Sequence, residues 1–387
     1  FLTMICSAAN RVARDELVSF LEAEIEGDAE SLCLDLLQGH RNATLDADQA
    51  LWELAQEVRK RPAIRDASVE SESPALVVTL SRANEGYKLI PKLDEFLQLY
   101  GWRAEWWLAS SVTWMERPDI PLEFVRDMAV NEVQSPMDAL EQVAQKRLSL
   151  VKNIEDQLRP DETKVARFQE LMEVTSSYVA VREVRALWQM NAAGSLRAAL
   201  LRYGNRLTTN SVIADPEDIF FLLPNEIDAN LTEDGNSLKS LVEERRRDWE
   251  MWRTKQPPVG IGSAYATAVP TESTSEAQPD EMVIRGAGAS KGKVTARAKI
   301  IHDLSEADKL ESGDVLVCVA SSPPWTILFT KASAVVTDTG SVLSHPAIAS
   351  REYGIPCVVA TGNATERIRD GMIVTVDGSE GTVRIEG

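Results

Sequence analysis

The spacing of apolar and polar residues divides the chain into a helical part and a part built from short strands. Over residues 1–254 apolar residues recur mostly at helical spacing, most clearly in 45–61 and 135–158. The second of these segments begins with Ser135 as a candidate N-cap and has Pro136 in its first turn, where the missing N–H costs little. The pattern therefore predicts a helical domain over the first part of the chain.

The longest helical pattern covers residues 160–204. We expect one break in it, near Ser176. Its apolar stripe is typical of the core of a helix bundle.

A segment without periodicity follows. Residues 255–281 are rich in Pro, Gly, Ser, Thr and Ala, a composition that predicts a flexible linker. Such a linker would permit movement of the part of the chain that comes after it.

Residues 282–387 show a different pattern, in which short apolar runs alternate with Gly, Asp and Ser turns. The runs are MVIRGAGASKG, KVTARAKII, GDVLVCVA, SAVVTD, CVVAT and MIVTVDG. A helical segment, SHPAIASREYG, lies between the fourth and the fifth run. The sequence therefore predicts a compact, mostly β domain with a few helices, and a multidomain chain that is α in its first part and α/β in its second.

Composition and charge exclude several classes of protein. The chain has 387 residues and a net charge of −19, which argues against a nucleic-acid backbone or an anionic membrane as its main partner. No apolar run approaches the ~18 residues of a membrane span. Three histidines and four cysteines without a CxxC pair predict no zinc site and suit a reducing, cytoplasmic setting: Cys6, Cys33, Cys318 and Cys357.

The beginning of the chain carries no pattern of an export signal. The first residue is Phe1, and we expect this N-terminus to be a fragment boundary with residues missing upstream.

The segment around His345 contains the most distinctive chemistry of the sequence. A predicted strand runs into Gly340, and a helix opens at His345 with Ser344 as its candidate N-cap. Pro346 suits the first turn of that helix and Gly354 its end. His345 would thus lie where free N–H groups and the positive end of the helix dipole converge, which disfavours an imidazolium and favours an anion on the ring. A phosphoryl group on a neutral imidazole fits this position, and a histidine chosen for its polarity at a helix end is the alternative.

Residues 282–387 resemble the mobile phosphohistidine domain of the phosphoenolpyruvate-utilising enzymes. That group includes phosphoenolpyruvate synthase, pyruvate phosphate dikinase, rifampin phosphotransferase and phenylphosphate synthase. The resemblance is carried, in order, by GASKGKVTARAKII, LESGDVLVC, SSPPWTILFTKASAVVTDTGSVLSHPAIASREYGIPCVVATGNAT and DGMIVTVDGSEGTVRI. It implies a small β/β/α swivelling domain in which His345 carries the phosphoryl group, with Gly340 and Ser344 positioning it.

Two positions depart from the family pattern. Ser341 stands where members usually have a second glycine, and Pro346 stands where they usually have alanine. Because proline is tolerated so early in a helix, we expect the site to be retained.

Such a domain implies a dikinase-type cycle, in which an ATP-grasp domain transfers a phosphoryl group from ATP to the histidine and the mobile domain delivers it to an acceptor. The first 254 residues contain no Gly-rich phosphate loop and no paired acidic metal motif. We therefore expect ATP and Mg²⁺ to be bound by an ATP-grasp module upstream or on a separate subunit, and no metal site in this chain.

Residues 1–254 resemble, more weakly, the acceptor-binding region of rifampin phosphotransferase and its relatives. The matching stretches are LDADQALWELA, YGWRAEWWLASSVTWMERP, VREVRALWQMNAAGSLRAALLRYGNRL and ADPEDIFFLLPNEI. The resemblance implies that Arg182 lies beside the reaction centre, whereas the lysine found four residues later in the family is Ala186 here, with Arg185 adjacent. From chemistry alone, Arg182 and Arg185 either bind the transferring phosphoryl group or form surface ion pairs, for example with Glu183.

An aromatic cluster precedes these arginines. Four of the nine tryptophans lie close together in the sequence: Trp102, Trp106, Trp107 and Trp114. They either wall a flat hydrophobic pocket for an aromatic or polyketide-like acceptor, or pack in a helical core. Arg103, Glu105 and Glu116 lie in the same patch, and either carboxylate is a candidate general base for an acceptor hydroxyl. His40 and His302 are expected to be ordinary loop and strand-end histidines.

Together these features predict a phosphotransferase component. It would combine a helical acceptor-binding domain with a swivelling phosphohistidine domain and transfer a phosphoryl group to a hydroxyl of a hydrophobic small molecule. Two alternatives stay open: a fragment of a rifampin-type antibiotic phosphotransferase, and a non-catalytic ligand-binding protein that keeps the fold.

Overall fold

The computed structural model shows a mostly helical chain with a mixed β-sheet in its C-terminal region. It describes residues 2–69, 77–78, 82, 86–131, 133–231, 237–255 and 282–386. The helices are α1 (Leu2–Glu24), α2 (Ala29–Leu36), α3 (Ala43–Arg59), α4 (Pro62–Val69), α5 (Ile90–Tyr100), α6 (Asp119–Val130), α7 (Pro136–Leu158), α8 (Glu162–Thr209), α9 (Pro224–Ala229), α10 (Lys239–Arg253), α11 (Thr326–Phe329), α12 (His345–Tyr353) and α13 (Ala364–Arg367). The strands are β1 (Val283–Arg285), β2 (Ala287–Ser290), β3 (Lys293–Ile300), β4 (Val315–Cys318), β5 (Ala334–Thr337), β6 (Cys357–Val359), β7 (Ile373–Asp377) and β8 (Thr382–Ile385).

Contacts between Cα atoms group the chain into two compact units. The first comprises Phe1–Trp107, Val112–Ala192 and Met282–Gly387, and the second comprises Leu108–Ser111 and Ala193–Glu281. The first unit therefore contains helices α1–α7 together with the C-terminal sheet. The predicted linker lies outside the described residues except for Lys255, and the predicted domain boundaries stay predictions.

The C-terminal sheet has eight strands in the order β1-β8-β7-β3-β4-β5-β6-β2. Strands β3 to β6 are parallel neighbours, and the remaining pairs are antiparallel. Every side chain of β4 and β5 is buried, as is typical of parallel strands covered on both faces. The six apolar runs noted in the sequence all form strands, the first run divides into β1 and β2, and β8 is an addition to the predicted set.

The starts of the helices that frame the site follow from local sequence. The Ser135 N-cap is confirmed, since its side chain accepts a hydrogen bond from the N–H of Asp138, with Pro136 in the first turn. Asn42 caps α3, and its side chain accepts from the N–H groups of Thr44 and Leu45. This cap fixes the beginning of α3, which faces the C-terminal part of the first unit.

The predicted break near Ser176 is wrong, because α8 runs without interruption over Glu162–Thr209. The hydroxyls of Thr175 and Ser177 donate to the carbonyl oxygens of Leu171 and Glu173, one turn earlier, at 2.7 and 2.8 Å. These bonds satisfy the hydroxyl groups within the helix, so the polar cluster does not interrupt it.

The helical and the C-terminal parts of the first unit share one apolar core. Leu51 of α3 and Phe96 of α5 belong to the same buried cluster as Trp325, Phe329 and Val335. Within this continuous core, α11 packs against α3 and α12 packs against α7.

The second unit has its own small core. Leu207, Val212, Ile213 and Ile219 are buried there. Arg197, also buried, donates to the carbonyl oxygen of Ser110 at 3.0 Å and pairs with Glu217. A buried guanidinium with these partners satisfies the rule that interior charges are paired.

Within the described ranges, no helix combines the length and the apolar content that a membrane span requires.

We expect Trp325→Ala to destabilise the first unit by about 3–5 kcal/mol, because it opens a cavity in the shared core. Trp325 is 1% exposed. The matched control is Trp188→Ala, which removes a side chain that is 70% exposed and should change the free energy of unfolding by no more than about 0.5 kcal/mol. Urea unfolding followed by circular dichroism measures both changes, and equal stabilities of the two variants would contradict the packing described.

Candidate functional site

His345 is the first residue of α12, which follows the parallel strand β5 through residues 338–344. Gly354 ends the helix in a left-handed conformation, with φ of 67°, as the sequence predicts. The beginning of α12 therefore lies at the carboxyl edge of the parallel strands. Open α/β sheets bind their ligands at this edge.

The loop before His345 is held in place by its own hydrogen bonds. The carboxylate of Asp338 accepts from the hydroxyl of Thr361 at 3.1 Å and from the N–H of Thr365 at 3.2 Å. Gly340 has φ of 125°, and a Cβ there would lie 2.8 Å from the Oγ of Ser344. The positive φ requires glycine, so Gly340 shapes the loop that leads to the histidine.

Ser344 occupies the predicted N-cap position, but its hydroxyl plays a different role from the expected one. It donates to the carbonyl oxygen of Ser341 at 2.7 Å instead of accepting from the first turn of α12. The hydroxyl of Ser341 accepts from the N–H of Leu343 at 3.3 Å. Both serine hydroxyls thus bond within the loop. Pro346 stands in the first turn as predicted.

The ring of His345 borders a small cavity between α12 and the beginning of α3. Both ring nitrogens are shielded from solvent. The cavity measures about 10 Å³, far below the ~300–1,000 Å³ of typical ligand pockets. The other residues that line it are Asn42, Thr44, Leu45, Thr326, Ile348, Ala349, Glu352 and Tyr353. This arrangement holds the imidazole against the helical part, with no room for a drug-sized molecule beside it.

The far end of α12 also contacts the helical part, through two residues that the sequence analysis missed. The Oε2 of Glu352 accepts from the N–H of Gly39 at 2.8 Å. The hydroxyl of Tyr353 donates to the Oδ2 of Asp48, also at 2.8 Å. The partners are separated by 313 and 305 residues in the chain, so no local sequence signal connects them.

The two other histidines lie in different surroundings. His40 is half-buried beside the guanidinium of Arg147, and burial, followed by this positive charge, lowers its pKa to about 4. His40 is therefore neutral at physiological pH. The ring of His302 is exposed at the end of β3, as expected.

Arg182 and Arg185, the predicted phosphate-positioning residues, both belong to α8. The side chain of Arg182 lies outside the described residues. Arg185 is half-buried, its Nε is shielded from solvent, and it is not among the described residues that line the cavity of His345. Their role toward a phosphoryl group stays a prediction.

The four predicted substrate-binding tryptophans divide into core and surface residues. Trp114 is buried, stacks on Phe96 with ring centroids 6.0 Å apart, and therefore has a packing role here. Trp106 and Trp107 are 42% and 43% exposed, and Trp102 is half-buried. The surface pair is available for an acceptor, and binding by these residues stays a prediction.

Glu105 is the candidate base that contacts the C-terminal part. Its carboxylate accepts from the N–H of Leu304 at 3.3 Å, and burial raises its pKa. Glu116 instead accepts from the N–H and the hydroxyl of Thr113. Arg103 is buried and donates to the carbonyl oxygen of Ala43 at 3.0 Å. A carboxyl group with a raised pKa suits proton transfer better than an ordinary surface carboxylate.

Among the described residues, no group of three or more His, Cys, Asp or Glu side chains is arranged to hold a metal ion.

Two family descriptions match consecutive parts of the chain. Residues 3–183 match the rifampicin phosphotransferase fourth domain, and residues 310–381 match the mobile domain of PEP-utilising enzymes. The second match contains β5, the loop and α12, and therefore His345.

Curated relatives are similar over nearly the whole chain. An uncharacterised phosphotransferase, YvkC of Bacillus subtilis, is 32% identical over 94% of this chain, which covers 44% of the relative. Chondramide synthase CmdD of Chondromyces crocatus is 28% identical over 90% of this chain and 10% of its own length. Rifampicin phosphotransferase of Bacillus cereus is 27% identical over 89% of this chain and 40% of its own length. The chain thus spans less than half the length of each of these relatives.

The order of the two matched domains, together with the position of His345 inside the second, agrees with the resemblance noted in the sequence. The chain thus combines a region similar to the rifampicin phosphotransferase fourth domain with a later region similar to the mobile domain of PEP-utilising enzymes.

Proposed function

We propose that His345 carries a phosphoryl group from ATP to a hydroxyl group of a hydrophobic small molecule. The observation that carries the proposal is the place of the imidazole: at the start of α12, at the carboxyl edge of the sheet, and on the face packed against the helical part. The beginning of a helix favours a bound phosphoryl group. Two of the similar proteins are named phosphotransferases, which supports the same class of reaction.

The reaction has two steps. In the first, a ring nitrogen of His345 attacks a phosphorus atom of ATP, so that an N–P bond forms and a P–O bond of ATP breaks. In the second, the acceptor oxygen attacks the same phosphorus, the N–P bond breaks, and the hydroxyl proton passes to a base. Glu105 is the base that its raised pKa favours, and both steps depend mainly on positioning and charge neutralisation.

The proposal requires the C-terminal domain to move. Both ring nitrogens of His345 are shielded and the adjoining cavity is small, so the imidazole has to leave this position to meet ATP. ATP and Mg²⁺ would be bound by an ATP-grasp module upstream in the same polypeptide or on a separate subunit. By its composition, the predicted linker of residues 255–281 would span about 30 Å, with more reach when extended.

A rifampin-type antibiotic acceptor is the second candidate, favoured by the match of residues 3–183 to the rifampicin phosphotransferase fourth domain. A non-catalytic ligand-binding role is the remaining alternative. Phosphorylation of His345 separates both transferase functions from the binding role.

We expect the protein, incubated with ATP, Mg²⁺ and its cognate ATP-grasp module, to gain one acid-labile phosphoryl group that intact-protein mass spectrometry detects. His345→Asn should abolish the gain, because it removes the nucleophilic nitrogen. The matched control, His302→Asn, should retain it, since that ring is exposed at another position. Labelling of His345→Asn, or no labelling of the wild type beside an active ATP-grasp module, would contradict the proposal.

We expect Trp106→Ala combined with Trp107→Ala to slow acceptor-dependent loss of the phosphoryl group about tenfold, because each aromatic contact contributes ~0.5–1.5 kcal/mol. The phosphorylated protein is mixed with rifampicin or with phenol, and the remaining phosphohistidine is measured by mass. Phosphorylation by ATP should be unchanged in the double variant. Trp188→Ala, which also removes an exposed tryptophan, serves as the control. If neither rifampicin nor phenol accelerates the loss of the phosphoryl group, the proposed acceptor class is wrong.

A further inference from the structure

Asp48 is a carboxyl group buried where α12 and α11 pack against α3. Its exposed fraction is 1%. The C-terminal part contributes the hydroxyl of Tyr353, which donates to Oδ2 at 2.8 Å, and the hydroxyl of Thr326. The helical part contributes the positive charge of Arg103. Tyr353 and Arg103 are thus the titratable and charged groups that face Asp48, and Thr326 is a neutral neighbour.

Two carboxylates elsewhere in the helical part pair with a cation from the C-terminal part. Lys331 pairs with Asp127 at 2.7 Å, and Lys291 pairs with Asp35 at 2.5 Å. Among the described residues, the groups that face Asp48 from that side are hydroxyls, and its cation belongs to its own side of the contact. Docking of the C-terminal part therefore removes Asp48 from water without adding an opposite charge.

The balance of these effects favours the protonated carboxyl group. Burial raises the pKa of Asp48 to about 6, although Arg103 and the two hydroxyls act in the opposite direction. Burial also raises the pKa of Tyr353 well above its usual value, so its hydroxyl keeps its proton and stays a donor to Asp48 near neutral pH.

We propose that Asp48 is a positioning residue: through Tyr353 it holds α12, and with it His345, against the helical part, and a proton bound to Asp48 strengthens this docking. The inference rests on the proposed function, because docking regulates the reaction only if the C-terminal domain moves.

The direction of the pH dependence follows from linkage. In the docked state the pKa of Asp48 is about 6, whereas an aspartate in water has a pKa of ~3.9. Docking therefore takes up a proton between these values. It is strongest at acidic pH, weakens as the pH rises through 6, and levels off above that. The docking equilibrium should fall about tenfold between pH 5 and pH 8.

The experiment measures docking directly by single-molecule energy transfer in the full chain. Dyes are attached at Gln142→Cys on α7 and at Ser312→Cys before β4, both exposed positions, with Cys6 replaced by serine. The described native cysteines, Cys33, Cys318 and Cys357, are buried. The docked fraction is recorded from pH 5 to pH 8.

Asp48→Asn keeps an oxygen acceptor for Tyr353 and carries no charge. We expect its docking to lose most of the pH dependence of the wild type in this range and to be stronger than that of the wild type at pH 8. Asp46→Asn, on the same helix but paired with Arg41, is the matched control and should keep the wild-type pH dependence. Tyr353→Phe, which preserves volume, should move the midpoint to higher pH, because a donor to the carboxylate is lost. Circular dichroism checks that each variant is folded.

The inference is overturned if Asp48→Asn shows the wild-type pH dependence, or if the docked fraction of the wild type does not change between pH 5 and pH 8. Neither result depends on phosphoryl transfer. A wild type that docks as expected while His345 takes up no phosphoryl group refutes the proposed function and supports the role of Asp48 in docking.

Discussion

The contact of α12 with α3 and α7 is the one on which the rest of the site depends. His345 opens α12 and Tyr353 closes it, and both line the cavity beside the first turn of α3. A helix of nine residues is about 13 Å long and behaves as a rigid rod. A hydrogen bond at its far end therefore fixes the position of the imidazole at its beginning, although the two residues do not need to touch.

Apolar and polar contacts contribute differently to this packing. The shared core of Leu51, Trp325 and their neighbours provides attraction, but apolar attraction has little directional preference. Polar pairs instead set the relative orientation of the helical and C-terminal parts. The bond from the N–H of Gly39 to Glu352 and the ion pair of Lys331 with Asp127 are satisfied in one arrangement only. These polar contacts thus help to orient the C-terminal part on the helical part.

The sequence predicts the parts of this site that local patterns encode. The strand before Gly340, the helix that begins at His345 and its end at Gly354 all follow from apolar spacing and cap residues. The continuous helix through Ser176 was not predicted, because hydroxyl bonds to the preceding turn leave no composition signal that differs from a break.

Residues whose role depends on tertiary contact could not be found in this way. Asp48 has the helical spacing of an ordinary residue on α3, and only burial by Tyr353 and Thr326 changes its chemistry. Trp114 and Trp106 lie in the same tryptophan-rich stretch of the sequence. The structure separates a core residue from a surface residue because Phe96 of α5 stacks on Trp114.

The shared core also sets a condition on any movement of the C-terminal domain. Separation from α3 would expose Trp325, Phe329 and their apolar neighbours to water, and each large side chain costs about 1.5–3 kcal/mol to expose. A domain released into solvent would bear this full cost. If His345 takes up a phosphoryl group at one site and delivers it at another, the ATP-binding site must therefore bury the same apolar face of the C-terminal domain. The ATP-binding module would need an apolar surface that complements α11 and α12, with polar groups that match Glu352 and Lys331.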